Sequence, residues 1–209
     1  MRARPIAPGL VVGELVARID DAPRDAWRRV AVDGPPAAEP WALADALVGP
    51  LREVGRDVVR VSARDFLRPA SLRYEFGRHD PDVYYDQWLD IAGLVREVLA
   101  PLERGGTGRV LPSLWDSALD RATRAAYTRL ATGGVLLLDG SLLLGRALPL
   151  DLTVHLTLSP SALARRTPDA DAWTLPAFAR YEREADPVRT ADVVIKTDDP
   201  RHPALIEAV

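Results

Sequence analysis

The sequence predicts an α/β fold, a doubly wound and mainly parallel five-stranded sheet flanked by helices, with residues 1–209 forming one domain. Two observations predict it. Short β-branched runs alternate along the chain with segments whose apolar residues recur at helical spacing. One run, Gly134-Val135-Leu136-Leu137-Leu138-Asp139-Gly140, is apolar on both faces, as the centre of a parallel sheet must be when helices cover both its sides.

In chain order, Leu10, Val11, Leu15, Val16 and Ile19 make one face of a leading amphipathic helix, and residues 29–33 are the first strand. Residues 41–54 are the helix that follows, with Pro40 in its first turn, where a missing amide costs little, and Gly55 just past its end. Residues 57–62 form a second strand, and 68–90, rich in Pro, Tyr, Asp and Arg, read mostly as loop. A short helix over 91–99 is closed by Pro101 and Gly105-Gly106, and 108–116 form a short hairpin or an extended excursion. After the central strand come a strand over 152–158, a helix opened by Ser159-Pro160 and running through Arg166, and a last strand over 191–196. In such a sheet the ligand site lies beyond the carboxyl ends of the strands.

Composition narrows the function. A net charge of −3 and a pI near 5.7 argue against a general nucleic-acid binder, whose affinity rests on clustered positive charge. No apolar run approaches the roughly 18–20 residues of a membrane span, and Met1-Arg2-Ala3-Arg4-Pro5 lacks the apolar core of a secretion signal, so a cytoplasmic protein is expected. Zero cysteines exclude disulfides, thiolate metal sites and cysteine nucleophiles. Arginine supplies nearly all the positive charge, within an Arg-, Ala- and Pro-rich composition of the kind GC-rich bacterial genomes produce. The one lysine, Lys196, stands at the end of the last strand, where a Schiff-base role is the weaker alternative to a solvated charge.

The first strand runs through Asp33 and Gly34 into a loop where a nucleotide-binding protein carries its phosphate cradle. A P-loop needs G-x-x-x-x-G-K-[ST]: amides around the phosphates, a lysine on the β/γ oxygens and a hydroxyl on magnesium. Here Gly34 is in place, but Glu39, Pro40 and Trp41 stand where glycine, lysine and serine or threonine belong. Two like charges at about 4 Å repel by ~1 kcal/mol in water, so Glu39 opposes a phosphate. Pro40 removes an amide donor, and the Trp41 indole fills space that phosphate and metal need.

The order of motifs resembles the uridine kinase-like branch of the P-loop nucleoside kinases, from about Leu10 onward. The residues that carry the likeness are Val32-Asp33-Gly34, Ser62-Ala63-Arg64-Asp65-Phe66-Leu67, the run from Arg73-Tyr74 to Tyr84, Leu138-Asp139-Gly140-Ser141-Leu142-Leu143, Ala164-Arg165-Arg166, and Ala191-Asp192-Val193-Val194 through Asp199-Pro200. The resemblance implies a P-loop NTPase-like fold and a nucleoside pocket. It also exposes departures that fall on chemistry. The position of the family's general base is Arg64, which accepts no proton at physiological pH, with Asp65 beside it and Leu67 in place of histidine. Residues 167–176 replace an Arg-rich lid loop.

What remains is the acceptor side. Arg73, Tyr74, His79, Tyr84, Tyr85 and Asp90 mix aromatic faces with hydrogen-bonding groups and suit a polar, ring-shaped molecule. They also admit a structural reading, with Arg73 paired to Asp90 and the tyrosines packed on the sheet edge. Asp139 ends the central strand as a base or as a cap for the Ser141 turn, and Arg165 and Arg166 sit where lid arginines contact phosphates.

The leading expectation is a degenerate kinase-like protein that has lost phosphoryl transfer. It binds a small polar molecule or performs ATP-independent acid–base chemistry on it, with Asp65, His79, Asp90 or Asp139 as proton carriers and Arg64 or Arg73 as charge stabilisers. No cofactor and no metal ligand set is expected. One alternative is an active kinase whose helix N-terminus and Arg165 or Arg166 replace the lysine. Another is a non-catalytic regulator that pairs with a second copy of itself or with an active relative.

Overall fold

The structure is a computed structural model that describes residues 2–207. Local sequence accounts for its elements in order. A short strand β1 (Arg2–Pro5) leads into α1 (Pro8–Asp20), which has proline at its first turn and buries Val11, Leu15, Val16 and Ile19. Strand β2 (Arg28–Asp33) ends at a single tight turn over Pro36–Ala38, and α2 (Pro40–Glu53) follows. After β3 (Val58–Ser62) the chain makes a short turn over Ala63–Phe66.

The stretch read as loop, 68–90, contains two helices, α3 (Ala70–Arg73) and α4 (Pro81–Gln87). The second has a legible start. The Asp80 carboxylate accepts from the amides of Asp82 and Val83 at 2.9 and 3.0 Å, and Pro81 occupies the first position. Helix α5 (Ile91–Leu94) continues into a wider turn over Val95–Leu99. The following excursion is a bent two-stranded ribbon: β4 (Arg109–Val110) and β5 (Trp115–Asp116) run out, β6 (Arg121–Ala122) and β7 (Thr128–Arg129) return. Then come β8 (Val135–Gly140), β9 (Leu152–Thr157), α6 (Pro160–Arg166), α7 (Leu175–Glu184), α8 (Pro187–Thr190), β10 (Val193–Lys196) and β11 (Ala204–Glu207).

The main sheet has seven strands in the order β1-β11-β10-β9-β2-β8-β3. Its five parallel strands are the five expected, and β11 and β1 extend one edge antiparallel. Those two were missed because each is four residues long, with Pro5 in the edge strand β1, too short for period-2 alternation to declare itself. Helices α1 and α2 cover one face over Val30, Val32, Val135, Leu137 and Val154. The other face packs Ala31, Leu136 and Leu138 against Phe66, Leu94, Val98 and Leu99. Among the described residues no helix is long and apolar enough to cross a membrane.

Candidate functional site

A cavity of about 310 Å³ opens at the carboxyl ends of the parallel strands. Asp139, Gly140 and Ser141 at the end of β8, and Ala63 and Arg64 just past β3, form its base. Trp41 from α2, Tyr84, Tyr85 and Trp88 at α4, and Trp173 and Phe178 beside and on α7 form its walls. Six of the chain's 13 aromatic residues thus line one cavity, which gives it flat apolar faces. Tyr84, Trp88 and Trp173 pack on one another with ring centroids 4.9 to 5.5 Å apart, a self-supporting wall. Burial pushes the Tyr84 phenol up to about 12, so it stays a neutral hydroxyl at physiological pH.

The loop after β2 is tied to itself. The Gly34 amide donates to the Gly140 carbonyl at 3.0 Å, Ala38 to Pro35 at 2.8 Å, Glu39 to Pro36 at 3.0 Å and Ala42 to Glu39 at 2.9 Å. Pro35, Pro36 and Pro40 have no amide hydrogen. Only Ala37 and Trp41 keep amides with no backbone acceptor among the described residues. Glu39 takes a left-handed conformation with φ 56°, unusual for a residue other than glycine, and its side chain is exposed. Gly34 is required by space: a Cβ there would stand 2.9 Å from the Leu156 carbonyl oxygen.

Asp139 is almost fully buried and receives the Arg60 guanidinium at 2.9 Å and the Ser62 hydroxyl at 3.0 Å. Arg60 is in turn held by Asp45 at 2.8 Å. The Ser141 hydroxyl donates to the Gly34 carbonyl instead, so Asp139 does not cap that turn, because its oxygens are engaged from β3. Burial raises the Asp139 carboxyl above the usual carboxylate range, while Arg60 and Ser62 pull it back. Asp33, fully buried, accepts from His155 Nδ1 at 2.7 Å, the Tyr181 hydroxyl at 2.8 Å and the Leu143 amide at 2.9 Å.

The remaining sequence candidates separate. Arg64, Tyr84, Tyr85, Pro40 and Trp41 line the cavity with Asp139. Asp65 is half-buried but is not part of the cavity lining, and its carboxyl is raised by burial first and by the nearby Asp139 second. Asp90 is a helix cap, accepting from the Gly93 amide at 2.8 Å, and does not line the cavity. Arg73 does not pair with it. Its buried guanidinium bonds the Arg68 carbonyl at 2.7 Å, reaches the Tyr74 hydroxyl at 3.3 Å and lies 3.8 Å from Asp120, so it braces the loop. His79 is exposed and stands 5.3 Å from the Trp173 ring. Arg165 is exposed, and Arg166 lines a separate groove between α1 and α2 with Glu39, donating to the Thr197 carbonyl at 2.9 Å. Lys196 is paired to Asp198 at 3.3 Å on the surface.

Sequence reading missed Arg60, Trp88, Trp173, Phe178 and Arg146 as cavity or cavity-supporting residues. The one available signal was a charged residue inside a β-branched strand, Arg60 in Val58-Val59-Arg60-Val61, which needs a partner wherever it is covered.

The chain has the P-loop kinase fold. A possible uridine kinase from Bacillus stearothermophilus superposes with a TM-score of 0.72 at 19% identity, over 88% of this chain and 96% of that one. A candidate fructose transport system kinase from a Silicibacter species gives 0.59 at 19% identity, over 89% and 95%. D-glycerate 3-kinase from Cryptococcus neoformans gives 0.54 at 15% identity, over 86% and 80%. No protein-family model and no curated protein matches the sequence.

Proposed function

We propose that the protein binds a small, polar, ring-shaped molecule in the strand-end cavity and no longer transfers phosphate from ATP. The observation that carries this reading is the loop over residues 34–42, where three prolines lack donors and four amides already have carbonyl acceptors. A triphosphate cradle needs those amides free and convergent. Arg60 adds to the argument, because a guanidinium already neutralises the one buried acid at the cavity base, where a magnesium complex would need that charge. The residues present therefore do not fit magnesium–triphosphate.

Calorimetry with millimolar magnesium–ATP should give no binding heat. A thermal-shift panel of nucleosides and unrelated ring compounds should contain stabilisers, since binding to the native state adds RT ln(1 + [L]/Kd). Tight magnesium-dependent ATP binding, or ATP consumption with any acceptor, would sink the reading.

A second reading, ATP-independent acid–base chemistry, is favoured by Asp139, the one cavity-lining acid that is both buried and raised in pKa. On this reading Asp139 is the proton carrier, and Asp139→Asn abolishes turnover of a bound substrate while leaving its binding within a few-fold. Binding by the wild type without turnover of any stabilising ligand would favour a purely binding role.

A further inference from the structure

Resting on the binding reading above, we infer that the ligand is an anion: a planar aromatic or heteroaromatic ring bearing a carboxylate, held by Arg64 and the Tyr84 hydroxyl.

Asp139 is matched by Arg60. Arg146 is occupied by the carbonyls of Leu142 and Tyr85, and its guanidinium lies 5.1 Å from the Tyr85 ring centroid. Arg64 differs from both. It lines the cavity at its exposed rim, and among the described residues its guanidinium makes no hydrogen bond and no ion pair, so its donors are turned to solvent. Tyr84 likewise lines the cavity, and its hydroxyl has no partner among the described residues. The two are near enough that the Arg64 charge is felt at the Tyr84 phenol.

An exposed guanidinium and a neutral phenol that line the same cavity are two donors with no acceptor supplied by the protein among the described residues. A carboxylate supplies one oxygen to each, and an attached ring lies against the wall of Tyr84, Trp88 and Trp173. One guanidinium balances one negative charge. A phosphate monoester would bring close to two charges, one more than the Arg64 guanidinium matches, to a cavity also lined by Asp171.

The test uses the full chain and reads binding by titration calorimetry, because indole probes fluoresce with the protein's own tryptophans. The probes are indole-3-carboxylate, indole-3-carboxamide, unsubstituted indole and an indolyl phosphate. The acid should bind at least tenfold tighter than the amide. Arg64→Gln should remove that preference while leaving amide binding unchanged, Tyr84→Phe should reduce it a few-fold, and the exposed Arg104→Gln, which does not line the cavity, should leave it intact. Equal binding of acid and amide, an unchanged preference in Arg64→Gln, or tightest binding of the phosphate overturns the charge assignment while leaving the ring-binding reading in place. No binding of any ring compound, with binding of magnesium–ATP, overturns the binding reading itself.

Discussion

Two aspartates end adjacent strands of the same sheet and meet opposite fates. Asp33 closes β2 and Asp139 closes β8, and the register places Asp33 opposite Gly140 and Val32 opposite Asp139. That one-residue offset turns the two side chains to opposite faces of the sheet. Asp33 points to the side of α7, where His155, Tyr181 and the Leu143 amide occupy its oxygens out of contact with solvent. Asp139 points to the cavity, where Arg60 and Ser62 hold it from one side and the other side borders open space. The difference teaches that a strand-end acid on this fold is structural or chemical according to the face it takes. Sequence position alone does not separate the two.

The largest expected effect breaks the buried side of the comparison. Asp33→Ala leaves His155, the Tyr181 hydroxyl and the Leu143 amide without their common acceptor, and should cost about 3–5 kcal/mol in urea unfolding. A loss under about 1 kcal/mol would mean the cluster contributes little.

Next comes the exposed side. Arg60→Ala should cost about 1–3 kcal/mol, less than a fully buried pair because the arginine remains partly solvated. The effect carries a pH signature. The folded pKa of Asp139 lies above its unfolded value, so its contribution to stability is complete below the unfolded pKa and is lost as pH rises through the folded one. Arg60 lowers that folded pKa, so its removal widens the window. The variant should therefore lose more stability than the wild type as pH rises above the ordinary aspartate range, and identical pH slopes would refute the assignment.

Gly34→Ala sharpens the role of the loop that joins the two strand ends. The added Cβ meets the Leu156 backbone, and denaturation should show a loss of about 1–3 kcal/mol. Glu39→Gly has the smallest effect and the opposite sign. Relief of the left-handed backbone should stabilise by up to about 1 kcal/mol, and destabilisation would show that the Glu39 side chain does structural work.

Much of the scaffold was legible. Val135–Leu138 announced a strand covered on both faces, because apolar residues on both sides suit only that. The strand stands next to the β3 edge and not at the sheet centre, since helices cover the sheet as far as that position. Helices α1 and α2 were legible from their spacing and prolines. The site was legible in fragments. Trp41, Arg64, Tyr84, Tyr85 and Asp139 lie on one cavity as a shared pocket requires, yet Asp90 and Arg73 carried the same residue types and became a cap and a brace. Trp173, far along the chain, gave no hint that it would pack on Trp88.

By itself the sequence determined the parallel strands, the helices over them and the unusual residues after β2, because hydrophobic period and proline chemistry act over a few neighbouring residues. Only the tertiary structure decided that Arg60 answers Asp139, that His155 and Tyr181 enclose Asp33, and that Arg64 is left facing an aromatic wall. Those pairings join residues from different strands and helices. The free energy of a buried charge depends on what packs around it in space, which local sequence does not specify.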